Sequence, residues 1–267
     1  MRGESAVAAL EIENLGIRYG TRSVVAGVSL AVAPGTTVGL VGESGSGKSS
    51  IANAAVGLAP VASGDIRVGG ASTVGRRAAA RAARRRVQLI FQDPFSALDP
   101  RMPVGESVAE GTLATGRRWG REERRRRVRE LLEQVHVDPD RAGALPGAFS
   151  GGQRQRITIA RALAGEPEVL IADEVTSALD VSVQSTVLNL LRELQRTLGL
   201  SILFISHNLA VVRYISDEIY VMRGGGIVES GPTEALLDAP ADPYTAELLG
   251  AVPVLGERMT FEEAATP

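Results

Sequence analysis

The apolar run Thr36-Thr37-Val38-Gly39-Leu40-Val41 leads directly into Gly42-Glu43-Ser44-Gly45-Ser46-Gly47-Lys48-Ser49, and from Ser49 to Leu58 the text SSIANAAVGL reads as a helix. A strand, a glycine-rich loop and a helix in that order form a phosphate cradle. The glycines let consecutive backbone amides crowd one concavity, and the helix N-terminus adds its partial positive charge. Lys48 then reaches the β- and γ-phosphates of a nucleotide as a compact point charge, a task for which the guanidinium fork is a poor substitute. Composition sharpens this reading: Lys48 is the only lysine in the chain, and the other 28 basic residues are all arginine. Ser49 offers a hydroxyl oxygen to Mg2+, a hard cation that takes oxygen ligands.

Working outward, the 267 residues are 44% hydrophobic and 22% charged, so a globular fold with a sizeable core is expected. With 29 basic against 31 acidic residues and a net charge of -2, the whole-chain field gives no reason to expect nucleic acid as a partner. The absence of Cys excludes disulfides and thiolate metal sites, and His136 and His207 alone exclude a histidine-rich centre. The opening MRGESAVAALEIENL carries charges where a secretory signal needs an apolar core, and no window reaches 18 consecutive apolar residues. Neither secretion nor membrane spanning is expected.

From Leu10 to Leu40 the runs LEIENLGIRY, VVAGVSLAV and TTVGLV read as an antiparallel strand series. Short strands DIRV and VQLIF follow, separated by an Arg-rich stretch; Phe91 to Pro100 reads as a loop, and about 104 to 145 as two or three helices without a strand. His136 is expected on a helix surface. The second half alternates: RQRITIARALA, EVLIAD, VQSTVLNLLRELQRTL, SILFIS, NLAVVRYI and DEIYVMR are helix, strand, helix, strand, helix and strand. Near-continuous apolar strands with crossover helices mark a buried parallel sheet. Gly224-Gly225-Gly226 turns the chain into a hairpin strand, IVES, then two short helices and a tail from about Ala251.

Two further segments carry chemistry. The strand Val169-Leu170-Ile171-Ala172 ends in Asp173-Glu174; Asp173 can hold the Mg2+ shell, and Glu174 can orient or deprotonate an attacking water. Phe149-Ser150-Gly151-Gly152-Gln153 precedes the helix RQRITIARALA and makes a second anion site with no lysine of its own.

These residues resemble the ATP-binding-cassette family, whose signature reads Leu-Ser-Gly-Gly-Gln, with Phe149 in the first place here. The resemblance covers nearly the whole chain. It implies a P-loop ATPase core of α/β class, a mostly parallel sheet flanked by helices, with an N-terminal antiparallel β subdomain. An inserted helical subdomain at about 93–149, within an ATPase domain of 1–250, and a tail over 251–267 complete it. The implied cofactors are ATP and Mg2+. Tyr19 is similar to the aromatic that stacks on adenine, Gln92 to the glutamine that joins the Mg2+ shell and senses the membrane partner, and His207 to the switch histidine at the γ-phosphate. Gly42, Glu43, Ser44, Gly45, Ser46, Gly47, Lys48, Ser49 and Ser50 form the implied nucleotide set, with Ser150, Gly151, Gly152 and Gln153 contributed across a dimer. Ser49, Gln92 and Asp173 are the metal set, and Glu174 and His207 the catalytic pair. Ser177-Ala178-Leu179-Asp180 resembles the loop that crosses that dimer interface.

FQDPFSALDPRM from Phe91, ADEVTSALDVS from Ala172 and Asp242-Pro243-Tyr244-Thr245 resemble the oligopeptide, dipeptide and nickel import ATPases; Asp242 stands where that branch usually has His. The resemblance implies transmembrane permease subunits as partners, a second ATPase chain, identical or paralogous, and indirectly an extracytoplasmic solute-binding protein. It places the chain peripherally on the cytoplasmic face of the membrane. A soluble regulatory ATPase is the alternative. The Arg-rich runs, Arg76 to Arg86 and Arg117 to Arg129, lack interleaved aromatics apart from Trp119 and read as solvated helix faces.

Overall fold

The computed structural model describes residues 7–250. Two sheets and their helices account for the fold. The first is antiparallel, ordered β2-β1-β4-β5, from β1 (Leu10–Tyr19), β2 (Arg22–Val32), β4 (Ser63–Val68) and β5 (Ala71–Ser72). The second has six strands, ordered β10-β9-β3-β8-β7-β6. It contains β3 (Thr37–Val41), β6 (Val87–Ile90), β7 (Val169–Asp173), β8 (Ser201–Ser206), β9 (Glu218–Arg223) and β10 (Gly226–Pro232). All neighbours pair in parallel except β9 and β10, which form the hairpin.

One expectation needs correction. TTVGLV is not the third strand of the antiparallel series: β3 sits inside the six-stranded sheet, between β8 and β9. All five of its residues are buried, whereas β1 and β2 mix buried with exposed positions. A run without polar alternation belongs to a strand covered on both faces.

That double cover is visible in β7. Val169 and Ile171 face one core, shared with Leu10, Ile12 and Ile66 of the antiparallel sheet and Ile51 of α1 (Lys48–Ala55). Leu170 and Ala172 face the other, with Ile157 of α6 (Gly151–Leu163), Leu191 of α7 (Val181–Leu198) and Val212 of α8 (Leu209–Ile215). Each such leucine or isoleucine contributes about 1.5–3 kcal/mol on burial, so the sheet is the rigid plate on which the rest is mounted.

Between β5 and β6 lies α2 (Ala78–Arg85); between β6 and α6 only helical elements occur. These are α3 (Pro94–Ala97), α4 (Val104–Gly111), α5 (Arg121–Gln134) and three short 3-10 turns. The expected loop at Phe91–Pro100 thus contains one helical turn. His136 is not on a helix: it lies just past α5 with φ of 55°, its Nε2 3.7 Å from Glu193 of α7. The chain finishes with α9 (Thr233–Asp238) and α10 (Pro243–Gly250). The expected tail over 251–267 lies outside the described residues.

The arginine runs are partly structural. Arg84 Nε donates to Thr73 O at 2.8 Å, and Arg86 joins Val68 O and Glu168. On and beside α5, Arg126 and Arg127 reach Glu130, Arg129 reaches Asp140, and Arg117 pairs with Glu123 while lying over the Trp119 ring.

Candidate nucleotide site

Parallel strands bring all their carboxyl ends to one edge, and open α/β sheets bind ligands outside that edge. In register, Val41 pairs with Ser206, Ile205 with Asp173, and Ala172 with Ile90. The residues that follow each strand end are therefore Gly42, His207, Glu174 and Phe91-Gln92. Segments scattered from 42 to 207 meet because the sheet is parallel.

Gly42 has φ of 149°, and a Cβ there would lie 2.0 Å from Met222 O. Gly47 caps α1 at φ of 108°, with Val24 O 2.9 Å from a Cβ. Both positions require glycine for shape. Above Gly45 the space is open, with nothing within 4 Å of a Cβ, while Glu43, Ser44 and Ser49 are exposed and Ser46 is buried. Lys48 is only 4% exposed; its Nζ donates to Gly42 O and Glu43 O at 2.7 Å each and lies 3.3 Å from Ser46 Oγ. Burial lowers its pKa, and the nearby Glu174, Asp173 and Glu43 carboxylates oppose that shift.

Ser49 Oγ donates to Asp173 Oδ1 at 3.3 Å. Asp173 is buried, and desolvation raises its pKa, opposed by the Ser49 hydrogen bond. A buried carboxylate beside a hydroxyl has the hard-oxygen donor chemistry of an Mg2+ site. Glu174 stands in the left-handed region at φ of 49°, its N–H held by Ile205 O at 2.9 Å. A non-glycine residue seldom sits there, and the tie to β8 fixes its direction. Its carboxylate is gripped from two sides: Gln92 Nε2 donates to Oε2 at 3.0 Å, and His207 Nδ1 is 3.2 Å from Oε1. Gln92 also lies 3.4 Å from Ser177 Oγ.

Other expected residues stand apart from this cluster. Tyr19 is 46% exposed at the end of β1. Ser150 caps α6 in a reciprocal box: its Oγ accepts from Gln153 N–H, and Gln153 Oε1 accepts from Ser150 N–H. Among the described residues, no hydrogen bond of Ser150 reaches the Gly42–Ser50 loop. Gly151 opens α6, and Gly152 is buried where a Cβ would meet Val183 Cγ1 at 2.3 Å, so its smallness serves helix packing. Asp180 caps α7 by accepting Val183 N–H at 2.9 Å.

One contact escaped the sequence: Tyr244 of α10, 201 residues away, accepts Glu43 N–H at 3.0 Å. The segment Asp242 to Thr245 had drawn notice only as a family mark, and nothing local to it points at the loop.

A sequence profile described as ABC transporter matches residues 25–177. A Brucella abortus (strain 2308) protein provisionally named a peptide import ATP-binding protein is 52% identical over 228 residues, covering 85% of this chain and 68% of the relative. A similarly named protein of Brucella ovis is 48% identical over 250 residues, 91% of this chain and 78% of its own. Among solved structures, cbiO1 from Clostridium perfringens, part of the ABC transporter complex cbiONQ, matches with a TM-score of 0.78 at 27% identity, over 86% of this chain and 91% of its own. The ATP-binding cassette MJ0796, in a dimeric post-hydrolysis state bound to ADP and Pi, gives 0.72 at 27% identity, over 84% and 98%. Half-identical sequence across nearly the whole cassette, on a shared fold, settles the kinship: this chain belongs to the ABC transporter family of ATP-binding ATPases.

Proposed function

We propose that this chain is the ATP-hydrolysing subunit of a peptide importer, and that the pinned Glu174 carboxylate is the observation that carries the reading. A carboxylate held between an amide and an imidazole, across the strand ends from a buried lysine, is arranged to take a proton from water aimed at a γ-phosphate. Lys48 and the loop amides bind the phosphates; Ser49 and Asp173 would hold Mg2+, with Gln92 closing the shell. Held by these residues, Mg2+ would supply charge neutralisation for the phosphoryl group being transferred. His207 orients Glu174.

Peptide cargo is supported by the names of the Brucella relatives. Coupling to a permease pair is supported by the complex that contains cbiO1 and by a groove next to Gln92, where Phe91 is 49% exposed and Leu89, Ala97, Gly111 and Ala114 line an opening of about 570 Å³. No helix among the described residues is long and apolar enough to cross a membrane, which suits a subunit seated peripherally on the cytoplasmic face. Two chains, identical or paralogous, would sandwich nucleotide between the Lys48 loop of one and the Ser150 loop of the other, and an extracytoplasmic solute-binding protein would deliver the cargo.

The test is ATPase activity in vesicles that hold the chain, its permeases and the binding protein. Peptide should stimulate hydrolysis, and Glu174→Gln should slow it by about 10²-fold or more while retaining ATP. Stimulation by a nickel chelate and not by peptide would reassign the cargo. Hydrolysis indifferent to permease and solute would favour the soluble regulatory ATPase.

A further inference from the structure

The C-terminal helix reaches back to the phosphate loop through a chain of specific bonds. Glu229 of β10 accepts the N–H groups of Ala241 and Asp242 at 2.8 and 3.1 Å. Asp242 Oδ1 in turn accepts Tyr244 N–H at 2.8 Å, so the residue that departs from the importer branch is the cap that starts α10. Tyr244 is thereby fixed. Its side chain is 2% exposed, its ring lies 4.5 Å from the Arg223 guanidinium, and its hydroxyl accepts Glu43 N–H. Burial pushes the hydroxyl pKa up, so it stays neutral at working pH.

Glu43 N–H and Gly42 C=O belong to one planar peptide unit. The carbonyl end of that unit accepts from Lys48 Nζ at 2.7 Å, and the N–H end donates to Tyr244 at 3.0 Å. Fixing one end of a rigid plane fixes the other, and each bond polarises the peptide in favour of its partner. We propose that Tyr244 is a positioning residue of the nucleotide site: through the Gly42–Glu43 peptide its hydroxyl holds the carbonyl that aims the Lys48 ammonium. This rests on the reading of Gly42 to Ser50 as the phosphate loop.

Tyr244→Phe keeps the ring, its burial and its contact with Arg223, and removes only the oxygen. In a direct titration with ADP, the dissociation constant should rise about three- to ten-fold, the span set by the net worth of one hydrogen bond. Hydrogen exchange should quicken at the Glu43 amide. Leu248→Ala is the control, because Leu248 packs α10 on the same core and carries no polar atom that could bond the Glu43 N–H; it should lower the melting temperature and leave ADP affinity unchanged. An unchanged constant in Tyr244→Phe, with Lys48→Ala failing to bind, would overturn this inference and spare the phosphate-loop reading. Normal ADP binding by Lys48→Ala would overturn both. An equal loss of affinity in Leu248→Ala would reduce Tyr244 to general packing and also overturn the proposal.

Discussion

Asp173 shows how a single side chain ties stability to function. Its carboxyl is raised from the ordinary 3.8 by desolvation, with the Ser49 hydrogen bond opposing the shift. A carboxyl raised in the folded state stabilises the fold below its unfolded value, and that contribution is lost as pH rises through the folded value. Where Asp173 ionises, the nucleotide-free protein therefore carries a buried charge at a cost. Asp173→Asn should raise the melting temperature of the free protein at pH 7, since the amide keeps an acceptor for Ser49, and the gain should shrink as the pH approaches 4. The same substitution should remove most of the extra stabilisation that Mg2+ adds to bound ADP. Thermal scans of both proteins across pH, with and without Mg2+ and ADP, check the two signs together. A variant less stable than the parent at pH 7 would mean that the carboxylate is already well compensated.

At the scale of elements, Ser150 has one duty the structure shows, capping α6, and one we propose, facing a nucleotide held by a second chain. As the cap of α6 it satisfies one amide, and Ser150→Ala should cost about 1 kcal/mol, or about 2–4 °C in melting temperature for a chain of this size. Ser150→Asp preserves a capping oxygen, so stability should hold; yet its negative charge would oppose the phosphate of a facing nucleotide, and hydrolysis should be lost. Calorimetry and an ATPase assay on the same two proteins separate the roles, and an active Ser150→Asp would leave Ser150 as a cap alone. The same helix shows what the sequence makes legible. The capping box at Ser150 and Gln153 is local and four residues long, yet the sequence reading takes this segment only as an anion site. The strand-loop-helix around Lys48 is equally local. By contrast, the placement of β3 depends on which strands cover it, and its five residues, all buried, look the same in the sequence beside β2 as between β8 and β9. Tyr244 meeting Glu43 is a contact of two distant segments whose encounter the α10 cap decides, and no period or motif encodes it. The sequence puts His136 on a helix because a left-handed residue that follows a helix carries no signal when it is not glycine.

For the molecule as a whole, the decisive geometry is that the Gly42–Ser50 and Ser150–Gln153 segments, both proposed to bind phosphate, share no hydrogen bond among the described residues. If sites form across a dimer, Ser150→Arg and Lys48→Ala chains should each be inactive alone. In a homodimer mixed in equal parts, half the pairs would carry one intact composite site, and activity should return to about a quarter of the parent value. Full activity of Ser150→Arg at dilutions that prevent association would exclude the shared site. The basic residues of the chain carry a different consequence. Every cation on the described surface is a guanidinium, and the single side-chain amine is locked beneath the loop, with its Nζ held by two carbonyls. Acylating reagents that decorate ordinary proteins at dozens of lysines find one side-chain amine here, and it lies in the loop we propose as the phosphate site. A single mass increment on the lysine-bearing peptide, suppressed as ADP fills the pocket, makes covalent labelling of this protein a direct gauge of its occupancy.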